Sequence, residues 1–86
     1  MSQDVVVYTT NTCPYCVMAK RLLDHKGVRY REINVDRDPR LREEMVRLSQ
    51  RRTVPQIFIG ARHIGGFDDL YALEQQKQLD ALLQVN

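Results

Sequence analysis

Val5-Val6-Val7-Tyr8-Thr9-Thr10-Asn11-Thr12-Cys13-Pro14-Tyr15-Cys16 runs from an apolar segment straight into the only two cysteines of this 86-residue chain. Val5 to Tyr8 is a continuous β-branched and aromatic run bounded by polar residues, the pattern of a strand buried on both faces. After Pro14, the residues Met18, Ala19, Leu22 and Leu23 fall on one stripe at helical spacing. Gly27 then follows Lys26 as a left-handed stop behind a basic last turn. A strand therefore feeds a helix over about residues 14–26, and both thiols lie at the joint.

The rest of the chain extends the same alternation. Residues 28–35 are β-rich, and their apolar phase changes between Tyr30 and Ile33, which predicts a second strand with a bend or a change of burial midway. Asp38 followed by Pro39 reads as an N-cap and a first helical residue, and Leu41, Met45 and Leu48 carry a second helix to Ser49. Gln56–Ile59 and residues 62–64 flank Gly60-Ala61, a two-residue hairpin turn. Leu70, Leu73, Leu79, Leu82 and Leu83 supply one or two closing helices after Gly65-Gly66, with a split expected near Lys77. The order is βαβαββα. Strands joined through a helix should be parallel and the later hairpin antiparallel, so the expectation is an α/β fold with a four-stranded mixed sheet flanked by helices. Cys13 lies at the carboxyl end of the first strand, where ligands collect in such sheets.

Length and composition bound the function. A chain of 86 residues makes one domain, 1–86, and with 43% hydrophobic and 28% charged residues it has an ordinary globular balance. The start, MSQDVVVYTT, has an acid where a signal peptide wants a basic region, and its apolar stretch is too short for a membrane span. A cytoplasmic protein with no membrane partner is expected. A formal charge of +2 is too small to imply a nucleic acid. Arg40, Arg42, Arg47, Arg51 and Arg52 cluster, but Glu43 and Glu44 sit among them and no exposed aromatics interleave, so they read as a solvated helix face that could hold a small anion.

Two thiols three residues apart can serve as a staple, a metal clip or a redox centre. A loop this short removes little entropy from the unfolded chain, and small secreted scaffolds carry several bridges. Structural zinc wants four ligands, and His25 and His63 lack the spacing to complete a set with Cys13 and Cys16. No metal is expected, although a cluster shared between two chains stays open on spacing alone. With Pro14 as the first helical residue, Cys13 is the N-cap, where helix amides and the dipole favour a thiolate. Cys16 lies one turn on and on the same face, poised to resolve whatever Cys13 attaches to. A thiolate of lowered pKa gains chiefly as a leaving group, so the pair suits turnover between disulfides.

Three segments, YTTNTCPYC at Tyr8 to Cys16, RTVPQIFI at Arg52 to Ile59 and IGGFDDLYAL at Ile64 to Leu73, resemble the small bacterial dithiol glutaredoxins. The likeness covers essentially the whole chain. It implies a thioredoxin-like fold and a glutathione-dependent thiol-disulfide oxidoreductase that reduces protein-glutathione mixed disulfides and protein disulfides. Glutathione would be co-substrate, and the protein a monomer in redox homeostasis. Under it Cys13 is the nucleophile, Cys16 the resolving thiol and its partner in a redox-active disulfide, and Pro14 and Tyr15 complete the catalytic turn. Val54-Pro55 resembles the family's cis-proline turn, whose backbone pairs with the cysteinyl part of glutathione. Tyr15 and Thr53 would line the groove. Gly66, Phe67, Asp68 and Asp69 would receive the γ-glutamyl end, Asp69 taking the ammonium while Asp68 is equally explained as a plain N-cap. Arg42 aligns with a contact to the glycine carboxylate, or is an ordinary exposed helix arginine.

Two departures stand out. Thr10 replaces a lysine that many relatives carry, so Arg42, Arg51 or Arg52 would have to compensate, and Phe67 replaces a cysteine. Two other uses remain open at this point. One is a glutathione-bridged iron-sulfur carrier, which Pro14 disfavours in the family. The other is a thioredoxin-like donor recharged by a flavoprotein reductase, for which the GGFDD segment would be superfluous.

Overall fold

In the computed structural model, which describes residues 4–83, β1 (Val5–Thr9) is an inner strand of a four-stranded sheet. It lies parallel to β2 (Arg31–Asn34), with Val6 opposite Arg31 and Thr9 opposite Asn34, and antiparallel to β3 (Gln56–Ile59), with Val6 opposite Phe58. The hairpin partner β4 (Arg62–Gly65) forms the other edge, giving the order β2-β1-β3-β4. The mixed sheet is the expected one. Among the described residues the α-helices are α1 (Pro14–His25), α2 (Pro39–Ser49), α3 (Phe67–Gln75) and α4 (Leu79–Leu83).

Strand alternation divides the core between two faces. Val5 and Val7 of β1 and Ile57 and Ile59 of β3 point to one side, where Ala19 and Leu23 of α1, Leu70 of α3 and Leu79 and Leu83 of α4 pack on them. Tyr8 of β1 faces the other side and meets Met45 of α2 and Val35, with Val6 and Phe58 against them. The phase change in residues 28–35 is the same division. Val28 and Tyr30 pack in the first cluster, and Ile33 and Val35 in the second.

Three boundaries or faces differ from expectation. β2 begins at Arg31 rather than at residue 28, because pairing with β1 starts at Val6, and it ends in a short 3-10 turn (Val35–Arg37) capped by Asn34. Met18 is exposed, since the buried row of α1 is Cys16, Ala19 and Leu23. Leu48 is exposed as well, because α2 buries Met45 and Ser49 with Leu41 and Val46 beside them, a row that passes it by. Ser49 can lie inside because its hydroxyl donates to the Met45 carbonyl at 2.7 Å.

The local signals hold elsewhere. Asp38 caps α2 by accepting from the Arg40 N–H, with Pro39 next to it. Gly60 has φ of +59° in the hairpin turn. The closing helices split where expected, Lys77 taking φ of +60° between α3 and α4. Lys26 Nζ ties the split together, 2.8 Å from both Glu74 of α3 and Asp80 of α4. No helix among the described residues is long and apolar enough to cross a membrane.

Candidate active site

Cys13 is the N-cap of α1, in an extended conformation with φ −143° and ψ 98°, and Pro14 takes the first helical position. Its Sγ accepts the Cys16 N–H at 3.1 Å, which is the bond a serine or aspartate cap would make. A thiolate there gains one charge-assisted hydrogen bond and the positive end of the helix. The two cysteines are joined as a disulfide with Cα atoms 5.2 Å apart. Their surroundings differ sharply. Cys16 is 2% exposed, at the head of the buried row of α1, whereas Cys13 is partly open to solvent.

The segment before β3 faces Cys13. Val54-Pro55 is a cis peptide, and the Val54 carbonyl oxygen lies 3.7 Å from Cys13 Sγ. Beyond it a groove of about 250 Å³ opens between three pieces of chain. Tyr15 comes from α1, then Arg51, Thr53, Val54 and Pro55 from the loop after α2, and Gly66, Phe67, Asp68 and Asp69 from the start of α3. Eight of the nine residues assigned by resemblance to glutathione thus share one wall.

The ninth does not. Arg42 lines a separate hollow of about 750 Å³ with Val35, Val46 and Arg52, where its guanidinium lies 3.7 Å from Asp36 and donates to the Arg52 carbonyl at 3.5 Å. Among the arginines considered as substitutes for a lysine at position 10, Arg51 reaches the groove wall. It does so by pairing with Asp69, Nη1 to Oδ2, at 3.3 Å. Asp36 serves the catalytic turn from outside by accepting the Asn11 N–H at 2.8 Å.

The start of α3 differs in detail from expectation. Gly66 is its N-cap, so Asp68 is the second helical residue and not a cap, and the helix is capped two residues earlier than expected. The capping acid is Asp69, whose Oδ2 reaches back to the Gly66 N–H at 2.9 Å. This works because Gly65 is bare. It sits at φ +118°, and a Cβ there would collide with the Asp69 carboxylate. The Asp68 side chain is exposed and makes no hydrogen bond or ion pair among the described residues.

Phe67 stands between two tyrosines. Its ring stacks on Tyr15 at 6.3 Å between centroids and on Tyr71 at 5.7 Å, with interplanar angles of 26° and 21°. Phe67 thus completes a ladder of rings that leads away from Cys13.

Two polar residues of the site escaped the sequence reading. Gln56 is wholly buried at the head of β3, donating through Nε2 to both the carbonyl and the hydroxyl of Thr53, and its Oε1 lies 2.7 Å from His63 Nε2. The available signal was a long amide in the otherwise apolar strand QIFI, directly after Pro55. Burial pushes the His63 pKa down, the charge of Arg51 adds to that, and Asp69 opposes it. His25 is exposed at the end of α1, and no cluster of three or more metal-ligating side chains occurs among the described residues.

Known proteins agree with this architecture. The glutaredoxin family model matches residues 5–64. A glutaredoxin of Pseudomonas aeruginosa is 57% identical over 81 residues, covering 94% of this chain and 96% of the relative. Glutaredoxin 3 of Escherichia coli is 56% identical over 81 residues, covering 94% and 98%. Among solved structures, a buckwheat glutaredoxin in complex with glutathione superposes with a TM-score of 0.88 at 32% identity, over 95% of this chain and 77% of that one. A glutaredoxin of Brucella melitensis does so with 0.85 at 54% identity, over 95% and 89%. With the expected thioredoxin-like sheet and a Cys13-Cys16 pair at its strand-to-helix joint, the chain belongs to the glutaredoxin family and is a thiol-disulfide oxidoreductase.

Proposed function

We propose that the protein reduces protein-glutathione mixed disulfides, and protein disulfides, with glutathione as the electron donor. The observation that carries this reading is the common wall of Tyr15, Thr53, Val54, Pro55 and the start of α3 beside the exposed face of Cys13. Likeness to a relative solved with glutathione supports it.

The Cys13 thiolate attacks the glutathione sulfur of a mixed disulfide, forming a new S–S bond while the substrate protein's thiolate leaves and takes a proton. A second glutathione thiolate then attacks the glutathionyl sulfur, expelling Cys13 as thiolate and releasing glutathione disulfide. The low basicity that an N-cap confers on Cys13 assists that expulsion. Cys16 is needed when Cys13 is bonded to a protein, attacking Cys13 and closing the internal disulfide. Pro14 sets the helical turn, and Tyr15 and Phe67 line the groove beside it.

The groove chemistry suits each part of glutathione. Amides at the start of α3 suit the γ-glutamyl carboxylate, and Asp69 with the exposed Asp68 suits its ammonium. Val54 offers backbone to the cysteinyl unit, and Thr53 lines the groove. Arg42 holds the carbonyl of Arg52, next to Thr53, and is the cation left to meet the glycine carboxylate from outside the groove. Arg51 supplies the cation that Thr10 does not. We further assign the protein to the reducing cytoplasm as a monomer with no resident metal.

The test is turnover of a small glutathionylated substrate with glutathione and its reductase present. Cys13→Ser should abolish it, and Cys16→Ser should retain it while losing reduction of protein disulfides. Inactivity of the unsubstituted protein, with rapid recharging by thioredoxin reductase, would replace this reading with that of a thioredoxin-like donor.

A further inference from the structure

Gln56 has no exposed surface, yet its whole amide is engaged. Nε2 donates to the Thr53 carbonyl at 2.9 Å and to Thr53 Oγ1 at 3.1 Å, and Oε1 lies 2.7 Å from His63 Nε2. These partners settle the protons. A carbonyl only accepts, so the amide nitrogen must face Thr53 and the amide oxygen must face His63. An oxygen that only accepts requires His63 Nε2 to carry its hydrogen, in the neutral and in the charged ring alike. The imidazole is held in that pose by Phe58, with ring centroids 4.9 Å apart.

This series of bonds ends on one peptide unit. Among the described residues Val54-Pro55 is the only cis bond, so the Thr53-Val54 unit is trans, and its C=O and N–H point in opposite directions. Drawing the Thr53 carbonyl inward to Gln56 therefore turns the Val54 N–H outward. That N–H makes no hydrogen bond among the described residues, and the carbonyl of the same residue lies 3.7 Å from Cys13 Sγ. A donor left free beside a reactive sulfur is suited to the main chain of the residue that carries the other sulfur.

We infer that His63 and Gln56 are positioning residues for disulfide exchange: His63 orients Gln56, Gln56 holds the Thr53 carbonyl, and the Val54 N–H is thereby aimed at the cysteinyl unit joined to Cys13. The inference rests on the proposed use of the groove for glutathionyl disulfides. It gives a strand-edge histidine a part in substrate alignment although it never touches substrate. Because Nε2 keeps its hydrogen in both charge states, the alignment persists through the titration of His63.

His63→Phe keeps a ring against Phe58 and removes the donor, whereas His63→Gln restores an N–H. His63→Phe should raise KM for a glutathionylated cysteinyl peptide about fivefold, the equivalent of one net hydrogen bond, with kcat within about twofold. His63→Gln should recover most of that loss. A second measurement uses the Cys16→Ser protein treated with glutathione disulfide, in which Cys13 bonds to one glutathione and the other leaves as thiolate. There the Val54 amide should exchange slowly with solvent, and His63→Phe should speed it severalfold. An unchanged KM in His63→Phe with turnover otherwise normal would overturn the inference and leave the proposed function standing. Equal losses in His63→Phe and His63→Gln, or a loss confined to kcat, would also overturn it. Absence of turnover in the unsubstituted protein would overturn both.

Discussion

Single residues carry the catalytic geometry, and Gly65 shows how narrowly. Its φ of +118° disfavours any L side chain, and the space a Cβ needs is filled by the Asp69 carboxylate that caps α3 and pairs with Arg51. Gly65→Ala should cost about 1–3 kcal/mol in urea unfolding and loosen that cap, and unchanged stability would refute the account. Tyr8 gives a second test at this scale. Burial, then its 3.0 Å hydrogen bond to Glu44, pushes its phenol up to about 12. Folding thus favours the protonated ring, a contribution whole below about pH 10 and lost as pH rises from there to 12, worth on the order of 2 kcal/mol. Tyr8→Phe should flatten the alkaline fall in unfolding free energy measured between about pH 9 and 12. Local chemistry was legible at this scale: the Cys13 cap and the Pro14 start follow from neighbours in sequence. Arg51 on Asp69 and His63 on Gln56 were not, because each bond joins elements whose proximity only the folded sheet creates.

Elements were read best where a cap or a turn residue announces them. α2 begins and ends at the residues expected, as does β3, and both are bounded by Asp38-Pro39 or the Pro55 and Gly60 that stop a strand. β2 was overextended because β-propensity continues where its partner strand does not. Met18 and Leu48 were assigned to buried faces because apolar spacing leaves the direction of a stripe open by one residue. Lys77 offers a test of the junction between α3 and α4. It is exposed in the left-handed region at φ +60°, where glycine has no Cβ penalty. Lys77→Gly should stabilise the protein by about 0.5–1 kcal/mol by thermal unfolding, and destabilisation would show that the Lys77 side chain makes a stabilising contact of its own.

At the scale of the whole molecule, the sheet keeps two cores apart. Ile57 belongs to the cluster under α1, α3 and α4, and Ile33 to the one under α2. Ile57→Val should cost about 0.5–1.5 kcal/mol and Ile33→Val less, since it is only partly buried. The double variant should equal the sum within about 0.5 kcal/mol in denaturant unfolding, and a larger discrepancy would mean that the faces are coupled through β1. The fold class was legible because strand and helix signals alternate, but the order β2-β1-β3-β4 rests on which strands pair, information that no local pattern holds.

The contrast between an open Cys13 and a Cys16 that is 2% exposed has a consequence for chemical damage. An electrophile or peroxide arriving from solvent meets Cys13 alone, so injury is confined to the one sulfur whose neighbour can repair it. Cys16 can displace an oxidised or thiolated Cys13 adduct from behind, provided the lesion still contains a leaving group. A thioether offers none. Once glutathione has reduced the resulting Cys13-Cys16 disulfide, the protein should recover from reversible oxidants, whereas one equivalent of an alkylating agent should silence its reduced form completely.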